Sequence, residues 1–591
     1  MIKGGEFLIK DLEAKDIFIP EEFTEEQMMM ANATSEFVDK ELHPHRERFE
    51  NKDYQLTVDC MKKAGEMGLL GISVPEAYGG MGMPFNTSML ICDKISGANG
   101  SFSTAYGAHT GIGTLPILLY GTEAQKQKYL PKIASGEWMS CYCLTEPDAG
   151  SDANSGKTKA VLTEDGQHYL ITGQKMWISN AGFADVFIVF ARIEDDKNIT
   201  GFILDKGMEG ITLGEEEHKL GLHSSSTRQV FFNEVKVPVD SMLGGRGNGF
   251  KIAMNALNVG RIKLSAAVLE SARNVTSLSV QYANERKQFN TPIGQFGAIQ
   301  HKLAEMATGT YAIESATYRA GDDIEKNIAR LKAEGMDDQQ AYLKGIEEYA
   351  IECSITKVLG SENMQYISDE GVQIYGGMGF SADAPMEAAY RDARISRIYE
   401  GTNEINRMLL VGMVLKRAMK GELDIMTPAM KVADELMSIP SFDTPDENTL
   451  FAVEKEMLKK MKKSILMAAG KAAMHFTMEI EKEQEVLMNI SDMAMQAYAV
   501  ESAILRTEKL AQLKGEEAVQ TQIAMTQLYM HNAIKKLRNA GEEVILSFAE
   551  GDELRILLMG LKRFTKGYIV NPKQLRRSIA EKMIEEKKYC F

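Results

Sequence analysis

Residues 398–407 read Ile-Tyr-Glu-Gly-Thr-Asn-Glu-Ile-Asn-Arg and form a short polar break between two segments whose apolar residues recur at helical spacing. The pattern predicts a helix, a loop and a second helix. Glu400 lies in the loop beside a glycine, so its carboxylate is a candidate general base. Most glutamates are solvated surface charges, and Glu400 by itself could equally cap the helix that contains Ile405 and Leu409. Other parts of the chain are needed to choose between these interpretations.

Three further strings are unusual. Residues 143–151 read Cys-Leu-Thr-Glu-Pro-Asp-Ala-Gly-Ser, residues 175–180 read Lys-Met-Trp-Ile-Ser-Asn, and residues 373–379 read Gln-Ile-Tyr-Gly-Gly-Met-Gly. Together with residues 398–407 they resemble the acyl-CoA dehydrogenase flavoenzymes, and the long C-terminal extension makes the very-long-chain subfamily the nearest likeness. The resemblance covers nearly everything up to Gly412 and rests on length and helicity beyond it.

Composition limits the classes of function. The formal net charge of -16, without a basic stripe that carries aromatics, argues against a nucleic-acid partner. Six cysteines with no Cys-x-x-Cys pair suit a reducing compartment and predict no zinc site, and the histidines show no metal spacing. The N-terminus has neither a signal core nor an Arg-rich transit pattern, and no apolar run reaches the ~18 residues of a spanning helix. We therefore expect a cytoplasmic protein without a metal.

The spacing of apolar residues divides the chain into successive regions. Helical spacing extends to about Glu137, short alternating runs such as 168–172, 186–190 and 230–237 follow, and helical spacing returns from Gly249. We predict an α+β, mostly α, protein with the acyl-CoA dehydrogenase fold. Its expected parts are an N-terminal helical domain at 1–139, a middle β-barrel domain at 140–240, a four-helix bundle with Glu400 at 241–420, a turn-rich linker around Pro440 and Pro445 at 421–450, and an extra C-terminal helical domain at 451–591.

The chemistry of the resembled family explains why a base would be needed. Desaturation of a thioester needs a base at Cα, a hydride acceptor at Cβ and stabilisation of the thioester oxygen, and flavins accept hydride whereas side chains do not. The resemblance implies that FAD is the cofactor, that Glu400 takes the α-proton and that FAD N5 receives the β-hydride. The backbone N–H of Glu400 and the flavin ribityl hydroxyl would hold the thioester oxygen.

The resemblance also implies the cofactor-binding residues. The loop 142–151 and the strand 177–179 would contact the flavin, and residues 286–289 and 373–377 would reach the FAD of a neighbouring subunit. The alternatives are an ordinary β-turn at 146–150, core packing of Trp177 and a plain turn between helices at 376–379. The implied set is Tyr142, Leu144, Thr145, Gly150, Ser151, Trp177, Ile178, Ser179, Arg286, Phe289, Phe296, Gln373, Ile374, Gly376, Gly377, Thr402 and Glu404.

The implied substrate contacts lie near the base. Some relatives carry their base at the position that aligns with Gly260, and a glycine cannot abstract a proton, which favours Glu400 and disfavours branched-chain substrates. Arg261 resembles a CoA-contacting arginine, with a surface helix charge as the alternative. The implied substrate-binding set is Ser151, Asn258, Arg261, Glu400 and Gly401.

Small residues in a predicted helix bear on the length of the acyl chain. In the resembled family, the helix passes the closed end of the acyl pocket at the positions of Gly107, Ala108, Gly111 and Gly113. Each glycine costs a helix about 1 kcal/mol relative to alanine. Several glycines together therefore suggest that the site needs open space or close packing. With the C-terminal extension, this favours a long straight-chain acyl-CoA, converted to trans-2-enoyl-CoA in fatty-acid β-oxidation. Tight helix packing is the alternative.

Partners are implied with less support from individual residues. The family implies electrons passing to an electron-transfer flavoprotein, and a homodimer in which the extension replaces a second dimer. Residues 457–475 combine an apolar face with five lysines, which suits either peripheral membrane contact or an ordinary bundle helix. Rival functions are an acyl-CoA oxidase of the same fold and a non-catalytic assembly or scaffold protein that retains the fold.

Overall fold

The computed structural model describes residues 2–436 and 449–591. Its N-terminal region is helical, and a π-helical turn, Ala108–Gly113, joins its fifth and sixth helices. The first helix begins at Thr24, whose hydroxyl accepts a hydrogen bond from the N–H of Gln27 while the Gln27 side chain accepts one from the N–H of Thr24. The helices are α1 Glu25–Phe37, α2 Arg46–Glu50, α3 Tyr54–Glu66, α4 Phe85–Ser96, α5 Gly100–Gly107, α6 Leu115–Tyr120 and α7 Glu123–Ser135.

The middle region is a single eight-stranded sheet. The predicted strands at 168–172, 186–190 and 230–237 are confirmed as parts of longer strands. The strands are β1 Ser140–Cys143, β2 Lys159–Leu162, β3 His168–Ser179, β4 Val186–Ile193, β5 Thr200–Asp205, β6 Ile211–Glu216, β7 Thr227–Pro238 and β8 Met242–Leu243. Their order is β6-β7-β3-β2-β4-β5-β8, with β1 parallel to β4 off this path.

Helices return after the sheet. Four of them, at Gly249–Ala266, Leu269–Glu285, Gly297–Ala333 and Ala350–Tyr375, pack against one another as a bundle. Residues 398–402 of the segment quoted above lie before the last helix of this region, and residues 403–407 form its first turns. The elements are α8 Gly249–Ala266, α9 Leu269–Glu285, β9 Lys287–Gln288, β10 Thr291–Pro292, α10 Gly297–Ala333, α11 Asp338–Glu348, α12 Ala350–Tyr375, α13 Gly377–Phe380, α14 Met386–Ala393 and α15 Asn403–Met419.

The C-terminal region is also helical. Its first helix lies inside the segment that we predicted as a linker, so part of that prediction is wrong, whereas Pro440 and Pro445 lie outside the described residues. The elements are α16 Met426–Leu436, α17 Ala452–Phe476, α18 Gln484–Lys514, α19 Gln520–Leu546, α20 Gly551–Thr565 and α21 Pro572–Glu586.

The C-terminal helices share one core with the bundle and with the first residues of the chain. The ring of Phe7 packs edge-on against that of Tyr498 in α18, with centroids 4.9 Å apart. The Nζ of Lys509 donates to the carbonyl of Ile17 at 2.6 Å, and Arg506 pairs with Glu21 at 2.7 Å. The N-terminal segment therefore ties the extra helices to the rest of the protein.

The lysines of α17 bear on the predicted membrane contact. Leu458, Met461 and Ile465 are buried in the core, and the basic side chains make ion pairs within the protein. Lys462 pairs with Glu501 at 2.6 Å, and the other pairs are Lys459–Asp11, Lys460–Glu456, Lys463–Glu435 and Lys471–Glu553. The apolar face is not available to a membrane, so the bundle-helix alternative was the correct one. Within the described residues, no helix has the length and apolar character needed to cross a membrane.

Candidate active site

A cavity of about 660 Å³ lies between the N-terminal helices and the bundle. Its walls come from α4, α5, α8, α9 and α14. Gly107 and Gly111 line it, and a side chain placed at either position would meet no atom within 4 Å. Glu400 and Tyr399 lie in the wall of this cavity. The lining is largely apolar, and its acidic residues are Glu50, Asp392 and Glu400.

The Glu400 side chain is half-buried and lies directly over Gly260 of α8. A Cβ on Gly260 would be 2.7 Å from the carboxyl carbon of Glu400. The Oε2 atom is buried and finds no hydrogen-bond partner among the described residues. Burial raises the pKa of Glu400 to about 7, against the opposing charges of Arg261 and Lys357. This carboxyl can hold or release a proton near neutral pH, which suits a general base.

The loop that carries Glu400 is held by three cationic or amide side chains. Arg261 Nε donates to the carbonyl oxygen of Glu400 at 3.2 Å, and Lys357 Nζ donates to that of Gly401 at 2.7 Å. Asn406 Nδ2 donates to both carbonyls, at 3.3 and 2.8 Å. Glu400 has a φ of 58°, a strained conformation for a residue with a side chain, and the three donors keep it there.

The alternative that Glu400 caps a helix is wrong. Helix α15 begins after Thr402, whose hydroxyl accepts a hydrogen bond from the N–H of Ile405 at 3.2 Å. The cap is thus already supplied, and the Glu400 carboxylate is left to face the cavity.

Two residues of the predicted substrate set have internal partners. Arg261 is buried, and its Nη1 donates to the Oδ1 of Asn258, also buried, at 2.7 Å. The alternative that Arg261 is a surface helix charge is therefore wrong. Its guanidinium holds the Glu400 loop, and its Nη2 lies near Gly401. A contact between Arg261 and CoA stays a prediction.

Tyr142, Trp177 and Ser179 surround the other side of this region. The charge of Glu400, together with burial, raises the pKa of Tyr142, which places β1 next to the base. The register of β3 against β7 shifts between Lys175 and Ile178, and at this bulge Trp177 takes a φ of 57° and stays 59% exposed. Core packing is thus excluded for Trp177, whereas Ile178 is buried and Ser179 lines the cavity.

The loop at 144–151 is tied to β3 by a buried ion pair. Lys175 Nζ donates to Glu146 Oε1 at 2.6 Å and to the carbonyl of Leu144 at 3.2 Å. Glu146 also accepts from the N–H groups of Lys157 and Thr158. Glu146 and Ala149 exchange backbone hydrogen bonds, so the predicted β-turn alternative is present, and it leaves Thr145, Gly150 and Ser151 at the surface of the loop.

Seven of the remaining predicted cofactor residues form a second cluster, whereas Thr402 and Glu404 lie at the start of α15 next to the Glu400 loop. Tyr282 of α9 stacks on Tyr375 of α12 with centroids 4.0 Å apart, which brings Arg286 and Phe289 beside Gln373, Ile374, Gly376 and Gly377. Phe289 is 91% exposed and packs edge-on against Phe296. In the described part of the chain, no hydrogen bond or ion pair links this cluster to Trp177 or Glu400.

Family models match four successive parts of the chain. The model for the acyl-CoA dehydrogenase N-terminal domain matches residues 24–137, that for the middle domain matches 141–235, and two for C-terminal domains match 247–415 and 460–563. A probable acyl-CoA dehydrogenase of Bacillus subtilis is 44% identical over 589 residues, 99% of this chain and 98% of that protein. The chain belongs to the acyl-CoA dehydrogenase family.

Two other members of the acyl-CoA dehydrogenase family bear on cofactor and subfamily. The crystal structure of an acyl-CoA dehydrogenase complexed with FAD from Bacillus anthracis is similar over 100% of both chains, with a TM-score of 0.96 and 43% identity. The human very long-chain specific acyl-CoA dehydrogenase, a mitochondrial protein, is 41% identical over 354 residues, 58% of this chain and 51% of that protein.

Several acyl-CoA dehydrogenase site residues were missed by the sequence argument. Lys357 carries no local signal, because it is one of several polar residues in the first half of α12. Its Nζ also donates to Asn403 Oδ1 at 2.7 Å, and burial lowers its pKa to about 7. Asn403 and Asn406 lie inside the segment 398–407, so attention to its amides could have found them. Glu146 and its partner Lys175 each lie inside a quoted string, but nothing in either string indicates that the two side chains pair.

Proposed function

We propose that this chain catalyses the FAD-dependent α,β-dehydrogenation of a long straight-chain acyl-CoA to trans-2-enoyl-CoA in fatty-acid β-oxidation. The observation that carries this is Glu400: burial raises its pKa to about 7, one of its oxygens has no hydrogen-bond partner among the described residues, and it lies in the wall of a largely apolar cavity. A surface glutamate would have neither property.

The residues of the first cluster fit a flavin. Gly150 has open space where a side chain would be, Trp177 presents an exposed ring, and the buried hydroxyl of Tyr142 finds no partner among the described residues. In the second cluster Gly376 and Gly377 are also open, which lets a backbone approach a diphosphate. When bound, FAD supplies the acceptor for the hydride that leaves Cβ. Thr402 and Glu404 complete the proposed contacts.

Glu400 is proposed to take the proton from Cα of the thioester. Arg261, Lys357 and Asn406 fix the backbone of its loop, so the carboxylate does not have to be ordered during the reaction. An acyl chain that fills the cavity displaces water, which disfavours the carboxylate and raises its pKa further. The base thereby approaches the basicity that a weakly acidic C–H requires.

The length of the acyl chain is proposed from the cavity wall. Gly107 and Gly111 leave open space, whereas a side chain on Gly113 would collide with the backbone carbonyl of Ala108 and the Cβ of Ser140. Two of the small residues therefore make room and the third allows close packing. The match to the human very long-chain enzyme supports the same choice.

The partners are proposed with the function. An electron-transfer flavoprotein as acceptor and a homodimer follow from the family, and the exposed second cluster supports a shared cofactor site between subunits. A cytoplasmic location is also proposed. An acyl-CoA oxidase of the same fold is the rival, because it would use the same base.

An anaerobic titration tests the proposal. Palmitoyl-CoA should bleach the visible absorbance of the bound flavin, and butyryl-CoA should do so weakly. Glu400→Gln should retain flavin and bind palmitoyl-CoA without bleaching, whereas Glu347→Gln, an exposed glutamate of α11, should behave as wild type. Bleaching by Glu400→Gln at the wild-type rate contradicts the assignment of the base, and bleaching by butyryl-CoA alone contradicts the chain length. Reoxidation in air without an added flavoprotein would favour the oxidase.

A further inference from the structure

Helix α9 forms the part of the cavity wall that is remote from the base. Helices α8 and α9 follow one another closely in the chain, and both pack against α12. Side chains added to the α12 glycines at positions 360 and 371 would meet Ser265 of α8 and Val275 of α9, respectively. These two contacts are about 16 Å apart along α12. Glu400 lies over Gly260, which precedes Ser265 in α8 and is farther still from α9, so α9 meets only the distant part of a long acyl chain.

Residues 584–591, which follow most of α21, lie along α9. The Nδ2 of Asn284 in α9 donates to the carbonyl of Ile584 at 2.9 Å, and about two turns earlier the hydroxyl of Ser277 accepts from the N–H of Tyr589 at 3.0 Å. Ser277 also lines the acyl cavity. The ring of Tyr589 is buried in the same apolar cluster as Val275, another residue of the cavity wall. The extra C-terminal region therefore contacts the distant wall of the cavity directly.

A largely buried chain of ion pairs joins α9 to α18 beside Tyr589. Arg273 of α9 pairs with Glu314 of α10 at 2.5 Å, and Glu314 pairs with Arg506 of α18 at 2.7 Å. Burial raises the pKa of Tyr589, and the charge of Glu314 raises it further, so the phenol lies close to these pairs. Its hydroxyl finds no hydrogen-bond partner within residues 2–436 and 449–591. Tyr589 thus fills the junction between α9 and α18 with its ring and backbone, without a hydrogen bond from its hydroxyl.

We propose that Tyr589 is a positioning residue through which the extra C-terminal region fixes α9 and so sets the affinity of the cavity for long acyl chains. This rests on the proposed function, since it concerns the same cavity. With Tyr589 in place, the distant wall is ordered before the substrate binds. A long chain then loses none of its binding free energy to ordering that wall.

The reach of an acyl chain decides which substrates depend on Tyr589. An extended chain advances roughly 1.2 Å per bond, because three backbone bonds of a polypeptide span about 3.6 Å. An octanoyl chain therefore extends roughly 8 Å from its thioester carbon, and an eicosanoyl chain roughly 23 Å. Helix α9 begins nine residues after Gly260, about 13 Å along the helix axis. The octanoyl chain ends before α9, whereas the eicosanoyl chain runs along it.

A chain-length series tests Tyr589. With a ferrocenium salt as electron acceptor, KM and kcat are measured for octanoyl-CoA, palmitoyl-CoA and eicosanoyl-CoA. Tyr589→Ala should raise KM about 10-fold for eicosanoyl-CoA, less for palmitoyl-CoA and not at all for octanoyl-CoA. The kcat values should stay constant, because other side chains hold the loop of Glu400. Tyr589→Phe keeps the ring and the backbone and loses only a hydroxyl that has no partner among the described residues, so it should behave as wild type.

Tyr498→Ala is the matched control. Tyr498 of α18 is also a buried tyrosine whose hydroxyl has no partner in the described part of the chain, and its ring packs on Phe7 and Arg319. This variant should lower the thermal midpoint and leave the dependence of KM on chain length unchanged. Asn284→Ala releases residues 584–591 from α9 without removing a buried ring, and it serves if Tyr589→Ala does not fold. Its KM for eicosanoyl-CoA should rise, by a smaller factor.

Binding gives a second measurement that does not depend on turnover. In the Glu400→Gln background, calorimetric titration should show the same loss of affinity for eicosanoyl-CoA on adding Tyr589→Ala, and none for octanoyl-CoA. An equal change at all three chain lengths, or no change in either the Tyr589→Ala or the Asn284→Ala variant, overturns the inference while bleaching by palmitoyl-CoA still supports the dehydrogenase. If no thioester bleaches the flavin, the proposed function itself fails.

Discussion

Gly260→Ala should displace the Glu400 carboxylate while leaving the stability of the protein nearly unchanged. The added Cβ would lie 2.7 Å from the carboxyl carbon of Glu400, whereas carbon atoms pack at about 3.5–4.0 Å. The carboxylate must therefore move by about 1 Å. A displacement of that size at a reacting group costs about 100-fold in rate. Because a carboxylate is the mobile end of its side chain, the structure around it can stay in place.

The stability of Gly260→Ala should change little. Alanine favours a helix over glycine by about 1 kcal/mol, and this gain offsets part of the cost of moving the carboxylate. The backbone of Glu400 is held by Arg261 and Asn406, so the loop should remain. We expect kcat for palmitoyl-CoA to fall about 100-fold, with full flavin content and a thermal midpoint within a few degrees of the wild type.

The control is Gly412→Ala in α15, where an added Cβ would meet nothing within 4 Å. It has the same gain in helix propensity without a displaced carboxylate, so activity should be unchanged and the thermal midpoint slightly higher. Single-turnover reduction of the flavin by palmitoyl-CoA measures the effect on the proton-transfer step directly. If Gly260→Ala reduces its flavin as fast as Gly412→Ala, the reasoning about the position of Glu400 is refuted.

Two further predictions concern the charge of Glu400. Its folded pKa of about 7 lies above the ordinary value of 4.5, so its contribution to stability is full below the ordinary value and is lost as pH rises through about 7. Glu400→Gln should therefore leave the free energy of unfolding unchanged near pH 4 and raise it by about 2 kcal/mol near pH 8, with the thermal midpoint rising only at pH 8. An equal shift of the midpoint at both pH values would contradict the raised pKa. Lys357→Met removes a charge that lowers the pKa of Glu400, so the acid limb of the pH profile of kcat/KM should move to higher pH, and an unmoved limb would show that Lys357 acts on the loop alone.

Local pattern was enough to predict some elements and not others. The alternation at 168–172 and 230–237 predicted two strands. Successive side chains of a strand point to opposite faces of the sheet, so burial of one face produces an alternating pattern in the sequence. The helix at 426–436 was missed because Pro440 and Pro445 made the segment 421–450 look like a turn-rich linker. Pro428 lies in the first turn of that helix, where its missing N–H costs nothing.

Local sequence pattern likewise indicated some residues of the candidate site and not others. Glu400 could be singled out, since it stands in an unusual string and lies in the cavity wall, whereas flavin contact by the loop 142–151 stays a prediction. Lys357 and Lys175 could not, because their meaning depends on carbonyls and a carboxylate that approach from distant parts of the chain. For the same reason Arg261 was taken as a candidate CoA contact or a surface charge, while the structure gives it the carbonyl of Glu400 as a partner.

The extra C-terminal region bears on the same site through helix α15. Arg407 ends the segment 398–407 and donates to Glu362 of α12 and to Asp492 of α18, each at 2.7 Å, while the hydroxyl of Ser491 donates to the carbonyl of Arg407. The preceding residue, Asn406, holds the carbonyls of Glu400 and Gly401. The position of the carboxylate over Gly260 therefore depends on contacts from the bundle and from the C-terminal helices together. Ten residues of sequence can single out Glu400, but its placement is set by side chains of α8, α12 and α18 that only the folded chain brings together.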